Sequence, residues 1–211
     1  MAIKSNKNLV SNIPNIVTLA RVILIFCAIT LLLHDGSILC VWGILVLLLA
    51  LLLDGADGIL ARKLSVNNKI GPLIDTLGDR ITENAFLVFL VYKNLIPLFI
   101  PLVFMSRSFI SDFIRCLAFQ KGIDTFSLNT SCIGRCLVAS KTSRAVYLIL
   151  KFMVFLLASF VIAYPELEIC RVFVPKLVLY AAIIATLINV LRFVALVLDS
   201  RKILEEVIRF H

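Results

Sequence analysis

Four aspartates, Asp54, Asp57, Asp75 and Asp79, stand directly against long apolar runs, and no other feature of the chain limits its fold so sharply. Residues 38–53 are sixteen consecutive apolar or glycine positions leading into Asp54, and a second apolar stretch, 85–92, follows soon after Asp79. A charge at the centre of a membrane helix costs roughly 2.5–3.5 kcal/mol, so acids there need a partner and mark function. Four without one would cost on the order of 10 kcal/mol. Something must neutralise them.

Read as helices, the spacing sets their geometry. Asp54, Asp57, Gly58 and Ala61 fall at i, i+3, i+4 and i+7 and share one face. Gly71, Asp75 and Asp79 repeat at i, i+4 and i+8, again on one face. If the two helices are antiparallel neighbours, their acid-bearing ends meet at one membrane edge. Carboxylates converging from two helices suit a hard divalent cation, Mg2+ or Mn2+, that keeps positions open for phosphate oxygens. Gly58 and Ala61 remove bulk where a ligand must approach the backbone. Arg62 offers a planar fork for phosphate. Together these residue types read as a metal–diphosphate site.

The pattern D-x2-D-G-x2-A-R-x8-G-x3-D-x3-D over residues 54–79 resembles the motif of the CDP-alcohol phosphotransferase (CDP-alcohol phosphatidyltransferase) family, with every defining position filled. Acids used only for helix pairing are the bland alternative. A non-enzymatic cation pathway would also line up acids, but it does not explain Gly58, Ala61 and Arg62. Membrane prenyltransferases use two acidic helices and a diphosphate as well, with acidic blocks much further apart and nine spans expected.

Composition supports an integral membrane protein: 61% of the 211 residues are hydrophobic, which excludes a soluble metal-dependent enzyme. The net charge of +8 sits beside apolar spans and is not interleaved with aromatics, so it favours contact with anionic membrane lipids and not nucleic acid. The six cysteines form no CxxC pair and read as free thiols.

The expected fold class is all-α integral membrane, with six transmembrane helices and a polar metal site at the cytoplasmic membrane edge. The spans are expected at 16–33, 38–62, 71–92, 94–120, 144–163 and 172–198. Residues 1–15 are expected as a cytoplasmic or interfacial segment with Pro14 in the first turn of the helix that follows. Residues 16–198 form the single domain and 199–211 a charged tail. Span 16–33 is too long for a signal-peptide core and is expected to be retained. Lys4, Lys7, Arg62, Lys63, Lys69, Lys121, Arg135, Lys141, Arg201, Lys202 and Arg209 then fall on one side, against Lys93, Arg171 and Lys176 on the other. By the positive-inside rule both termini and the acids face the cytoplasm, as in a bacterial inner membrane.

Outside the acid motif, Arg107, Ser111 and Arg115 recur at i, i+4 and i+8, a stripe able to clamp phosphate, with lipid-anchoring arginines as the alternative. Lys141 adds a further phosphate candidate at the same level. His34 and His211 read as solvated, Trp42 as an interface anchor, and Lys151 as either snorkelling or cavity-lining.

The phosphatidylglycerophosphate synthases within the family have an arginine pair eight apart and a later Lys-Thr, matched by Arg107, Arg115 and Lys141-Thr142; Asn12-Ile-Pro14-Asn15-Ile-Val-Thr18-Leu-Ala-Arg21 is similar to that subgroup too. Where the subgroup often has Pro and Lys, this chain has Thr76 and Arg80, and Asp79-Arg80-Ile-Thr-Glu83 looks more like relatives that use inositol phosphate. The resemblance implies CDP-diacylglycerol as donor, sn-glycerol 3-phosphate or an inositol phosphate as acceptor, and a homodimer. It implies Asp54, Asp57 and Asp75 as metal ligands, with Gly58, Ala61, Arg62 and Gly71 bordering the CDP diphosphate. Asp79 is then catalytic base or fourth ligand, and Arg107, Arg115 and Lys141 hold the acceptor phosphate.

Overall fold

The computed structural model describes residues 2–35, 38–64, 71–120 and 140–201. Every described element is helical: α1 (Ala2–Leu32), α2 (Ile38–Leu64), α3 (Gly71–Tyr92), α4 (Phe99–Gln120), α5 (Lys141–Ala163), α6 (Glu168–Val172) and α7 (Val174–Asp199). Three stretches are long and apolar enough to cross a membrane, Asn15–Leu32, Ala145–Ala163 and Val174–Asp199, and Ile38–Asp54 is a shorter apolar one. Of six expected spans, three therefore qualify by length and composition. The helices at 71–92 and 99–120 fall short because charge is written into them: Asp75, Asp79, Arg80 and Glu83 on one, Arg107, Asp112 and Arg115 on the other.

Several boundaries differ from the sequence reading, three of them with a visible cause. Helix α1 starts at Ala2, so the expected separate segment 1–15 is part of one continuous helix. No Gly or Pro precedes Pro14, and Pro14 fits helical φ while giving up one backbone bond. Helix α4 starts at Phe99 and not at residue 94, because Asn94 caps α3 in the left-handed conformation (φ 57°). The Leu95 amide donates to the Leu90 carbonyl at 3.0 Å and that of Asn94 to Val91 at 2.9 Å, the paired bonds of a Schellman motif. The expected span 172–198 is interrupted at Phe173, ahead of Pro175, which lacks the N–H needed to continue the ladder from α6.

Two compact units are described separately. The first comprises Met1–Leu95 and Phe155–Lys176, the second Ile96–Val154 and Leu177–His211. In the first unit α1 packs on both α2 and α3. Its inward stripe is Thr18, Arg21, Ile25, Ala28 and Leu32, all buried, at alternating spacings of three and four. Leu19, Ile23 and Phe26 point outward and stay exposed, a pattern that suits lipid.

Helix α2 carries the matching stripe Cys40, Gly43, Leu47, Ala50, with Asp54 next in register. A Cβ on Gly43 would lie 3.0 Å from Leu32 Cγ and 3.3 Å from the Ala28 carbonyl oxygen, so this glycine permits the close α1–α2 approach. At one end of the pair the Cys40 thiol donates to the His34 carbonyl at 2.9 Å. Lys93 Nζ, at the end of α3, reaches Asp35 Oδ1 at 2.6 Å and clips the α1–α2 turn to α3. Phe86 stacks on Phe155 with centroids 4.2 Å apart and meets Phe89 edge-on, filling the apolar half of this unit.

Candidate active site

The stripes that bury α1, α2 and α3 against one another run on into the charged residues, and this brings the charges together. Arg21 lies one turn before Ile25 on the inner face of α1 and is only 3% exposed. Its Nη1 pairs with Asp54 Oδ1 of α2. Its Nη2 donates to Asp79 Oδ1 at 2.8 Å and stands 3.6 Å from Asp75 Oδ1, both on α3. One guanidinium thus gathers three carboxylates from two helices.

Gly78 makes the approach possible. A Cβ there would sit 2.5 Å from Thr18 Cγ2 and 3.3 Å from Arg21 Nη2, so any side chain would push α1 off α3. Exposure grades across the cluster: Asp54 is 16% exposed, Asp79 43% and Asp75 52%. The cation is buried, and Asp75 and Asp79 stay partly open to solvent. Arg21 Nε is buried with no hydrogen-bond partner, so the guanidinium is held by its far end alone.

Asp57, Gly58, Ala61 and Arg62 lie on the last turns of α2, and their side chains are outside the described residues. Gly71 opens α3, where a Cβ would be 3.5 Å from Asn15 Oδ1, an ordinary contact. Behind the acids, the Thr82 hydroxyl donates to the Asp79 carbonyl at 3.1 Å, and Arg80 faces Glu83 at 3.7 Å. Arg80, which with Thr76 sets this chain apart from the glycerol-phosphate subgroup, thereby has Glu83 as its neighbour on the same helix.

Arg107, Ser111 and Arg115 belong to the second unit, on α4. Ser111 is fully buried, as is Ser108, and neither hydroxyl has a partner. Arg115 Nη1 stands 3.7 Å from Asp112 Oδ1, both side chains about one-third exposed. Lys141 is the first residue of α5 and its side chain is outside the described residues. In the same unit Arg192 of α7 lies over the Tyr147 ring at 5.3 Å, and Asn189, one turn away, is 1% exposed with neither amide atom bonded.

Sequence reasoning passed over Arg21 as a site residue. A lone arginine inside an apolar span was the available signal, since a buried guanidinium requires acids to face it. Carboxylate oxygens from α2 and α3 are the donor type that a hard divalent ion takes, and Asp75 and Asp79 are partly open to solvent. Among the described residues no three acidic, histidine or cysteine side chains stand in position to hold one ion. The point on which Asp54, Asp75 and Asp79 converge is taken by Arg21.

A family profile described as CDP-alcohol phosphatidyltransferase matches residues 11–200. A CDP-diacylglycerol–glycerol-3-phosphate 3-phosphatidyltransferase of Bacillus subtilis is 34% identical over 110 residues, covering 46% of this chain and 57% of that protein. One of the same name from Rickettsia typhi is 28% identical over 104 residues, 49% of this chain and 58% of that protein. A CMP-forming cardiolipin synthase of Streptomyces coelicolor is 34% identical over 106 residues, 46% of this chain and 47% of that protein. The chain thus spans about half the length of the curated relatives it matches. The profile match extends over all the described helices that bear the acids and the arginine stripe, and the chain belongs to the CDP-alcohol phosphatidyltransferase family.

Proposed function

We propose that this protein transfers the phosphatidyl group of CDP-diacylglycerol to sn-glycerol 3-phosphate, giving phosphatidylglycerophosphate and CMP. The observation that carries the reading is the gathering of Asp54, Asp75 and Asp79, from two helices, around the buried Arg21 guanidinium. The names of the relatives from Bacillus subtilis and Rickettsia typhi support the donor and the acceptor.

In this reading the chain crosses the membrane six times, with α3 and α4 as spans whose charged faces are turned to protein or water. Both termini and the acids face the cytoplasm, on the side of most lysines and arginines, and the protein works as a homodimer. Asp54, Asp57 and Asp75 hold Mg2+ or Mn2+, whose charge offsets that of the diphosphate. Gly58, Ala61 and Gly71 leave room for the nucleotide, and Arg62 bonds the diphosphate oxygens.

Arg107, Arg115 and Lys141 bind the acceptor phosphate and present its free hydroxyl. Asp79 takes the hydroxyl proton as the oxygen attacks the β-phosphorus. The bond from that phosphorus to the CMP oxygen breaks, the new phosphorus–oxygen bond forms, and CMP leaves carrying the electron pair.

Purified protein given labelled CDP-diacylglycerol and, separately, sn-glycerol 3-phosphate, inositol 1-phosphate, serine and inositol tests the reading. Release of CMP with the first acceptor above all others is expected. Preference for inositol 1-phosphate would reassign the acceptor to the chemistry suggested by Arg80 and Glu83. Preference for an unphosphorylated alcohol would sink the phosphate clamp, and no CMP release with any acceptor would favour a cation pathway.

A further inference from the structure

We propose that Arg21 is a displaceable counter-ion that competes with the divalent cation for the same carboxylate oxygens and so sets the cation's apparent affinity. The proposal rests on the divalent-ion reading above. Every ion pair of Arg21 within the cluster uses an Oδ1 atom, those of Asp54, Asp75 and Asp79. An ion bridging α2 and α3 needs oxygens from these same groups. A guanidinium and a divalent cation cannot share that point, because like charges a few ångströms apart repel strongly in a half-buried setting.

The charges fit an exchange. Three carboxylates and one guanidinium, −3 + 1, leave −2 on the described groups, a deficit that one divalent ion matches. The geometry fits it as well. Arg21 is buried, whereas Asp75 and Asp79 are about half exposed, so an incoming ion can reach those two carboxylates from solvent. With Nε unbonded, Arg21 is anchored only through the Nη atoms that the ion's arrival would release. The same contact holds Asp79 Oδ1 at 2.8 Å, which keeps the proposed base engaged until the ion displaces the guanidinium.

Full-length protein in detergent micelles, titrated with Mn2+ and followed by the paramagnetic resonance signal of free Mn2+, tests this. Arg21→Gln, which removes the competing charge, is expected to bind Mn2+ about 10-fold more tightly than the native chain. Arg21→Lys, which keeps the charge but not the three-way fork, is expected to fall between the two. In chelator the melting temperature of Arg21→Gln should drop, and saturating Mn2+ should restore more of it than the ion adds to the native protein. Equal or weaker Mn2+ binding in both variants, which a purely structural arginine would give, overturns the proposal. Should Arg21→Gln not fold, Arg21→Lys decides alone: tighter binding than native upholds it, equal or weaker binding rejects it. Asp75→Asn separates the two levels. If it weakens Mn2+ binding while neither Arg21 variant tightens it, only the competition fails; if the native protein binds no Mn2+, the divalent-ion reading falls too.

Discussion

The two units differ in whether their buried charge meets an opposite charge. In the first, a buried arginine is matched by three acids, and the packing stripes of α1, α2 and α3 deliver the charges to one another. In the second, Ser108, Ser111 and Asn189 are buried with their side-chain polar atoms unbonded, and α4 carries Arg107 and Arg115. Unpaired buried polar groups cost about 1–3 kcal/mol each, whereas a charged hydrogen bond contributes about 1.5–3 kcal/mol. The first unit therefore presents a nearly self-sufficient electrostatic centre, lacking two positive charges. The second presents positive and hydrogen-bonding groups suited to an anion. In the proposed function the acids of the first unit serve a cation and the arginines of the second serve a phosphate.

The sharpest way to break the contrast is at Asp79. Asp79→Asn removes the proposed base while keeping a hydrogen-bond acceptor for Arg21, and the transfer rate should fall ~10²–10⁴-fold, as for loss of a positioned general base. CDP-diacylglycerol binding, measured by co-sedimentation with labelled lipid, should persist. Turnover near the native rate would remove Asp79 from the chemistry and leave it as a structural partner of Arg21.

A smaller loss is expected from Arg107→Ala on the other side. One charged contact to the acceptor phosphate contributes about 1.5–3 kcal/mol, so KM for the phosphorylated acceptor should rise about 10- to 100-fold while KM for the CDP-lipid stays nearly constant. Equal increases in both would show that the stripe does not discriminate between the substrates, and the assignment of a cation side and a phosphate side would fail.

How far these units were legible in the sequence differs for a physical reason. The acids could be read because a helical repeat that carries apolar residues into a core carries Asp54, Asp75 and Asp79 to the same place, and that repeat is visible without coordinates. Arg21 obeys the same repeat through Thr18, Ile25 and Ala28. It escaped because it was weighed as part of a short local motif and not as a charge needing partners 33 and 58 residues away (54 − 21 and 79 − 21). Boundaries failed where a residue has two uses. Asn94 can open a helix or, in the left-handed region, close one, and only backbone geometry decides. Pro175 is a break signal for Phe173 that the largely apolar stretch around it masks when the span is read by hydropathy alone. The second unit stayed the harder to read, because a serine or asparagine in an apolar helix does not announce whether it is bonded.

Gly78 tests the packing beneath the first unit. Its absent side chain lets Thr18 and Arg21 lie against α3, and a Cβ 2.5 Å from Thr18 Cγ2 leaves no room for the present arrangement. Gly78→Ala should destabilise the protein through overpacking of about 1–3 kcal/mol, of which the gain in helix propensity offsets up to ~1 kcal/mol. Thermal unfolding in detergent measures the loss. An unchanged melting temperature would mean that α1 and α3 can part without cost, and that the cluster owes its geometry to the ion pairs and not to the packed stripe.

The smallest expected effect bears most directly on the second unit. Asn189 is buried with both amide atoms unbonded, so replacing it with an apolar residue of similar size removes two desolvated groups and leaves no void. Asn189→Leu should therefore raise stability by about 1 kcal/mol, the opposite sign to the usual core substitution. If the melting temperature rises as expected and turnover falls with it, the unbonded amide stabilises a substrate state at the expense of the resting one. Arg192, one turn further along α7 and stacked over Tyr147, would then be the next residue to examine. If the melting temperature instead falls, Asn189 is already satisfied in the membrane by a group such as a trapped water or lipid hydroxyl. The second unit would then be as self-sufficient as the first, and the difference between them would lie in the sign of their charge alone.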